Sequence, residues 1–318
     1  MGALLLGVAG VYVAGVVAVR RRGRYWPGWR TLAWCAGVAT AAAALTGPVA
    51  AGAHHDFGAH MLGHLLLGMA APLLLVLGAP ITLALRALPV RAARTVSRFF
   101  ANRLVRGLTH PVTAATLDAG GLWLLYTTGL YAAMGAHPWL HLVVHAHILF
   151  AGYLFTASVV GEDPAPHRPG RPVRAGVLVA FLAAHAVLAK HVYAHPPAGV
   201  PAAAAEPAAQ LMYYGGDVIH LALIAIFCAQ WYRATAPART PTGPRIAATH
   251  PPGRPWRLPD DLRTAGHDDL RTAGHDEPHV AALDEPRIAA HDEPCTAEYD
   301  EPHVAGHDDL RTAGQPAR

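Results

Sequence analysis

The sequence predicts an all-α polytopic membrane protein with seven transmembrane helices, its N-terminus outside and its C-terminus cytoplasmic, followed by a disordered octapeptide-repeat tail. Three observations predict it. Hydrophobic residues make up 53% of the 318 residues and charged ones only 14%, against roughly a quarter charged in soluble domains. Seven stretches reach the roughly 20 mostly apolar residues that a helix needs to cross a hydrocarbon core, where the backbone has no partner but itself. The charge is also divided: residues 1–259 carry 20 basic and 6 acidic side chains, net +14, while residues 260–318 carry 5 and 15, net −10.

The spans are expected near 2–19, 31–52, 57–85, 111–133, 138–160, 173–195 and 209–232. The first has its basic cluster after the apolar run, whereas a signal peptide carries it before, so it reads as a retained helix. Pro72 and Pro80 are expected to kink or shorten the third. Orientation follows from arginine, which stays in short cytoplasmic loops. Arg20, Arg21, Arg22, Arg24 and Arg30 separate the first two spans; Arg86, Arg91, Arg94, Arg98, Arg103 and Arg106 separate the third and fourth. Arg168, Arg171 and Arg174 lie between the fifth and sixth, and Arg233 to Arg257 follow the seventh. With seven spans all of these fall on one side, which an even number would not allow.

Three segments result: a transmembrane domain over 1–235, a Pro/Arg-rich linker over 236–259, and an acidic tail over 260–318 that repeats every eight residues from DDLRTAGH to DDLRTAGQ, seven times. Such octads offer too little apolar surface to offset the entropy of ordering, so the tail is expected to be disordered. Cys35, Cys228 and Cys295 are far apart and without a CxxC spacing, which excludes a disulfide framework or thiolate zinc module as the organising principle. No nucleotide loop, nucleophile elbow or nucleic-acid motif occurs, and the arginines need no partner beyond lipid headgroups.

Histidine is the unusual component, 21 residues against the single lysine Lys190. The expected topology puts most of those before residue 260 in the outer half of the bilayer. Residues four apart share a helix face, which pairs His60 with His64, His137 with His141 and His145, and His191 with His195. His147 falls about 200° round the helix from His145 and belongs to another environment. His185, His220 and Asp217 lie deeper. Imidazole and carboxylate in a bilayer mark a functional path by default. Imidazole suits copper, iron, zinc and nickel, and thioether favours Cu(I); Met61, Met134 and Met212 all lie near the outer histidines. The metal-ligating candidates are therefore His60, His64, His137, His141, His145, His191, His195, Asp217 and Met61. An ion pair between Asp217 and Lys190 is a further possibility.

Three runs, HMLGHLLLGMAAPLLLVLGAP (60–80), HPWLHLVVHAHILFAGYLF (137–155) and QLMYYGGDVIHLAL (210–223), resemble the CtaG family of cytochrome c oxidase assembly factors, associated with the caa-type heme-copper oxidase of bacteria. The resemblance covers about residues 1–235, seven-helix plan included, and leaves out the octad tail. It carries over to His60, His64, His141, His145 and the glycines with Asp217; Tyr213 or Tyr214 stands where the family motif is associated with tryptophan. It implies a non-enzymatic biogenesis role in the cell membrane, with oxidase subunits or other assembly factors as partners and copper, as Cu(I), as the ion handled. The competing readings are a b-type cytochrome with bis-His heme, using His64 with His145 or His185 with His220, an intramembrane metal-dependent enzyme, and a transporter. The first would show a Soret band; the second carries, by resemblance, HxxHH boxes on the cytoplasmic side; the third should show internal repeat symmetry.

Overall fold

A computed structural model describes residues 2–53, 55–164 and 168–236. The expected linker beyond residue 236 and the octad tail lie outside the described residues, as do His54 and His167. The described residues form helices and no strand. In chain order they are α1 (Gly2–Arg21), α2 (Gly28–Leu45), α3 (Gly47–Gly52), α4 (Phe57–His64), a π-helical segment (Leu65–Ala70), α5 (Ala71–Leu77), α6 (Pro80–Ala87), α7 (Val90–Ala101), α8 (Arg103–Leu108), α9 (Pro111–Thr127), α10 (Leu130–Ala136), α11 (Pro138–Val160), α12 (Arg171–Ala194) and α13 (Ala202–Thr235).

Six helical stretches are long and apolar enough to cross a membrane: Gly2–Arg21, Gly28–Gly52, Phe57–Ala87, Pro138–Val160, Arg171–Ala194 and Ala202–Thr235. The remaining expected span, 111–133, is interrupted. Its 17-residue helix α9 ends where the Thr127 and Thr128 hydroxyls bond back to the carbonyls of Trp123 and Leu124, at 2.7 and 2.6 Å. Thr128 is extended, and its hydroxyl accepts from Leu130 N to open α10. Hydroxyls that compete for backbone groups end helices in this way. At about 1.5 Å per residue, 17 residues reach roughly 25 Å, the short limit for a span.

The third expected span is locally rewound and is broken once. The π-helical turn at Leu65–Ala70 precedes Pro72, which has no N–H to give the Gly68 carbonyl. The break before Pro80 is at Ala79, which adopts positive φ (48°). The stretch expected as a plain arginine loop contains α7 and α8. In α7, Ala92, Ala93, Val96 and Phe100 recur at helical spacing opposite Arg91, Arg94 and Arg98, the pattern of a helix lying in a membrane surface.

Loops rich in arginine gather at one end of the bundle. There Arg22 donates to the Arg86 carbonyl, Arg30 pairs with Glu162, and Arg174 donates to the Val159 carbonyl. Asp163 crosses from the α11–α12 loop to cap α6, accepting from Ile81 N, Thr82 N and Thr82 Oγ1 at 3.3, 2.7 and 2.6 Å. Most of the described histidines lie toward the other end, where α4, α11 and α13 begin and α9 and α12 finish.

Candidate functional site

The site is built on α4, whose start is fixed by Asp56. Its carboxylate accepts from Gly58 N and Ala59 N at 3.1 and 2.9 Å, an N-cap that satisfies two otherwise orphaned donors. One turn on, His60 and His64 both face inward, each 4% exposed. Phe57 stacks on the His60 ring at 5.9 Å, and Tyr131 meets it edge-on at 5.0 Å. His60 Nε2 lies 3.2 Å from the Tyr126 hydroxyl.

On α11, His141 and His145 stack at 4.1 Å, and the His145 ring stands 6.5 Å from that of His60. His145 Nδ1 is 2.8 Å from the His141 carbonyl. A carbonyl only accepts, so in the neutral ring the proton sits on Nδ1. Deeper in the bundle a second group follows. The His64 ring stacks with that of His185 at 6.1 Å, and His185 meets His220 edge-on at 5.0 Å. His185 and His220 are 2% and 4% exposed. Both nitrogens of His64, and Nε2 of His185 and of His220, have no hydrogen-bond partner among the described residues.

Close helix approach creates this second group. A Cβ on Gly216 would stand 2.7 Å from His185 Cε1, so the glycine lets α13 come up against the ring on α12. Gly152 does the same for α11, since its Cβ would lie 2.1 Å from the Gly68 carbonyl oxygen of the π-helical turn. Beside that turn a small cavity is lined by His220, Asp118, Thr156 and Met69. Asp118, on α9, is 5% exposed.

Of the sequence candidates, His60, His64, His141 and His145 therefore come together, with His185 and His220 extending the row. His137 is exposed at the start of α11 beside Trp139, 6.4 Å from its ring. His191 and His195 stack on each other at 4.8 Å, with His191 against Trp123; α12 reaches the buried row through His185 instead. Met61 is fully buried and shares one apolar cluster with Met134, Met212, Phe57 and Tyr126. Asp217 is exposed on α13, one turn before His220 and within its electrostatic reach, but it does not join the buried rings. Lys190 lies over the Tyr213 ring at 5.5 Å, and no ion pair between it and Asp217 forms among the described residues. His147 Nε2 is 3.1 Å from the Leu117 carbonyl, a bond between α11 and α9 separate from the row.

Sequence reasoning missed Asp118 and Tyr126. The only acidic residue in the α9 sequence PVTAATLDAGGLWLLYT was a usable signal; nothing in the sequence pointed to Tyr126, whose role comes from packing between helices.

The chemistry open to this row is low-coordinate. No group of three or more His, Cys, Asp or Glu among the described residues is placed to hold one metal ion. Two imidazoles bound through nitrogens at about 2 Å from a shared ion have ring centroids up to roughly 6.4 Å apart. His185 with His220 and His64 with His185 meet that limit, and His60 with His145 is at its edge.

Comparison with known proteins bears on the whole helical region. An uncharacterized protein of Mycobacterium bovis, Mb0105, is 38% identical over 194 residues, which cover 57% of this chain and 29% of that protein. MT0111 of Mycobacterium tuberculosis gives the same figures, and ML1998 of Mycobacterium leprae is 35% identical over 191 residues, 58% of this chain and 29% of its own length. The chain thus matches less than a third of the length of these curated relatives. No solved structure matches. The model of the cytochrome c oxidase caa3 assembly factor family matches residues 10–234, from within α1 to the end of α13 and across every buried histidine described above, and the chain belongs to that family.

Proposed function

We infer that this protein assists assembly of a caa3-type cytochrome c oxidase by taking up Cu(I) from the outer side of the cell membrane and passing it along the buried imidazole row to an oxidase subunit or another assembly factor, without catalytic turnover of its own. One observation carries the reading: a row of imidazoles, four of whose nitrogens are buried without a hydrogen-bond partner among the described residues. An unmet buried polar group costs about 1–3 kcal/mol, and a soft cation that accepts two nitrogen donors is one occupant that offsets it. Pairs at two-coordinate spacing, with no closed three-ligand set, suit an ion in transit, because each neighbour can compete for it.

The topology that goes with this reading counts α9 as a crossing, for seven in all, with the N-terminus outside. The arginine loops then face the cytoplasm, as the charge rule requires, and the row opens toward the outer surface through His60, His141 and His145. The copper ion is cargo here, and the methionine cluster under α4 supplies a soft, polarizable wall beside His60.

The test is competition for Cu(I) between the purified full-length protein and a calibrated chelator. About one equivalent should bind, and His60→Ala or His141→Ala should abolish it. Retention of binding after loss of the histidines on both α4 and α11 would overturn the proposal. A Soret band in the purified protein would replace it with the heme reading.

A further inference from the structure

At the arginine end, bounded by α5, α6, α8, α9 and α11, lies a second cavity of about 330 Å³, unconnected with the imidazole row in residues or chemistry. Its polar lining includes Arg106 on α8, His110 at the start of α9, Tyr153 on α11 and Arg168 in the loop after α11. Val76, Ile81 and Leu154 form an apolar wall.

The acceptors at this cavity are already used. Asp163 spends its carboxylate on the three donors of α6. Arg168 donates to the Gly161 and Asp163 carbonyls, which fixes its guanidinium in the wall as a positive charge. The donors are not used up. His110 Nδ1 accepts from Val112 N at 3.3 Å, so the neutral ring carries its proton on Nε2 and offers it as a donor. The Arg106 guanidinium and the Tyr153 hydroxyl, which line the cavity, make no hydrogen bond among the described residues, and Tyr153 lies within electrostatic reach of Asp163. The cavity therefore sets two guanidinium charges against the single carboxylate of Asp163, leaving a net positive lining, and joins unused donors to an apolar flank. Phe100, from the apolar stripe of the surface-type helix α7, also lines it, so the cavity adjoins the element that fits the headgroup layer.

We propose that this cavity binds an anionic phospholipid, its phosphate held by Arg106, Tyr153 and His110 and its acyl chain laid along Leu154, Val76 and Ile81. Charge complementarity selects the headgroup, and basic recesses between helices at a membrane surface suit it. The apolar wall selects a lipid over a soluble phosphate, which would leave it facing water.

The full-length protein in neutral detergent, offered equal phosphatidylglycerol and phosphatidylcholine, should retain phosphatidylglycerol in native mass spectra with a preference of roughly fivefold or more. Arg106→Gln should bring the two lipids to parity. Ala157→Leu, which fills the cavity beside the apolar wall and keeps both arginines, should reduce retention of both, giving a second reading should the arginine variant fail to fold. Equal retention of the two lipids by the unaltered protein would overturn the proposal, as would an unchanged preference in both variants. Displacement of the lipid by millimolar inorganic phosphate would mark a soluble-phosphate site and overturn the lipid assignment. Cu(I) binding should be unaffected by either variant, so the copper reading stands or falls separately.

Discussion

The two ends of this bundle treat polar atoms in opposite ways. At the arginine end, outside the Arg106 cavity, charges that enter the fold are spent on it: Asp163 takes three donors, Arg168 two carbonyls, Arg174 one, and Gln230 donates to the Val160 carbonyl at 2.9 Å. What stays unmet there is peripheral to those bonds, such as the indole N–H of Trp26 and Trp34, the Thr31 hydroxyl, and Nε of Arg30 and Arg174, whose outer nitrogens are bonded. In the histidine half a whole imidazole, His64, is left without a partner, and His185 and His220 each leave one nitrogen unmet. Buried polar groups are normally satisfied, so outside the Arg106 cavity the first end reads as structure, while the second reads as a site kept ready for something else.

The largest expected effect removes the frame both ends share. Gly152→Ala puts a methyl 2.1 Å from the Gly68 carbonyl oxygen, a backbone atom that no rotamer change can move aside. Overpacking of this kind costs about 1–3 kcal/mol and sometimes more. Thermal unfolding in detergent should fall furthest for this variant, with Cu(I) binding lost alongside. If the variant kept the stability of the unaltered protein, the contact between α11 and the π-helical turn would not be what positions the row.

Asp163→Ala attacks the satisfied end alone. Loss of an N-cap carboxylate costs about 0.5–2 kcal/mol, and three donors at the start of α6 depend on this one, so the upper part of that range is expected. Cu(I) affinity should hold. A parallel loss of copper binding would mean that the two ends are coupled and the division drawn above is false.

His64→Leu is expected to do the reverse. Replacing a ring with two unmet nitrogens by an apolar side chain of similar size recovers part of the roughly 1–3 kcal/mol that such groups cost. Unfolding should therefore shift upward, by about 1 kcal/mol, while Cu(I) binding drops. A variant that is both less stable and unchanged in copper binding would show the ring to be ordinary packing.

How much of this was readable in advance depends on which forces were local. Spans such as Pro138–Val160 and Arg171–Ala194 follow from apolar length, and the arginine loops from their charge; the bounds of these two helices match expectation to within two residues, whereas α13 begins at Ala202, seven residues before the expected 209. The pairing of His60 with His64 and of His141 with His145 followed from helical spacing. Which third helix would complete the row did not, because it depends on rotation: α12 presents His185 inward, against Gly216, and leaves His191 beside Trp123. The early end of α9 was written in Thr127 and Thr128, whose hydroxyls compete for the backbone, but an apolar window does not register hydroxyl bonding. Nor did it register α7, where alternation of arginine and apolar residues at helical spacing was present but read only as charge.

The smallest effect gives the finest test, because His147 lies two residues from His145 on the same helix and differs from the unbonded His64 by a single bond. Its Nε2 meets the Leu117 carbonyl at 3.1 Å, so the ring is already satisfied as a link between α11 and α9. Hydrogen bonds between membrane helices average about 0.6 kcal/mol in double-mutant cycles. His147→Leu should therefore lower stability by about that much and leave Cu(I) affinity unchanged, measured against the same chelator as the variants above. If copper binding fell as far as in His64→Leu, the bond to Leu117 would not set His147 apart from the row. If stability rose as expected for His64→Leu, the bond to Leu117 would contribute nothing. With both results as expected, two imidazoles in one bundle would respond to the same substitution with opposite signs, a difference set by whether a carbonyl stands within reach.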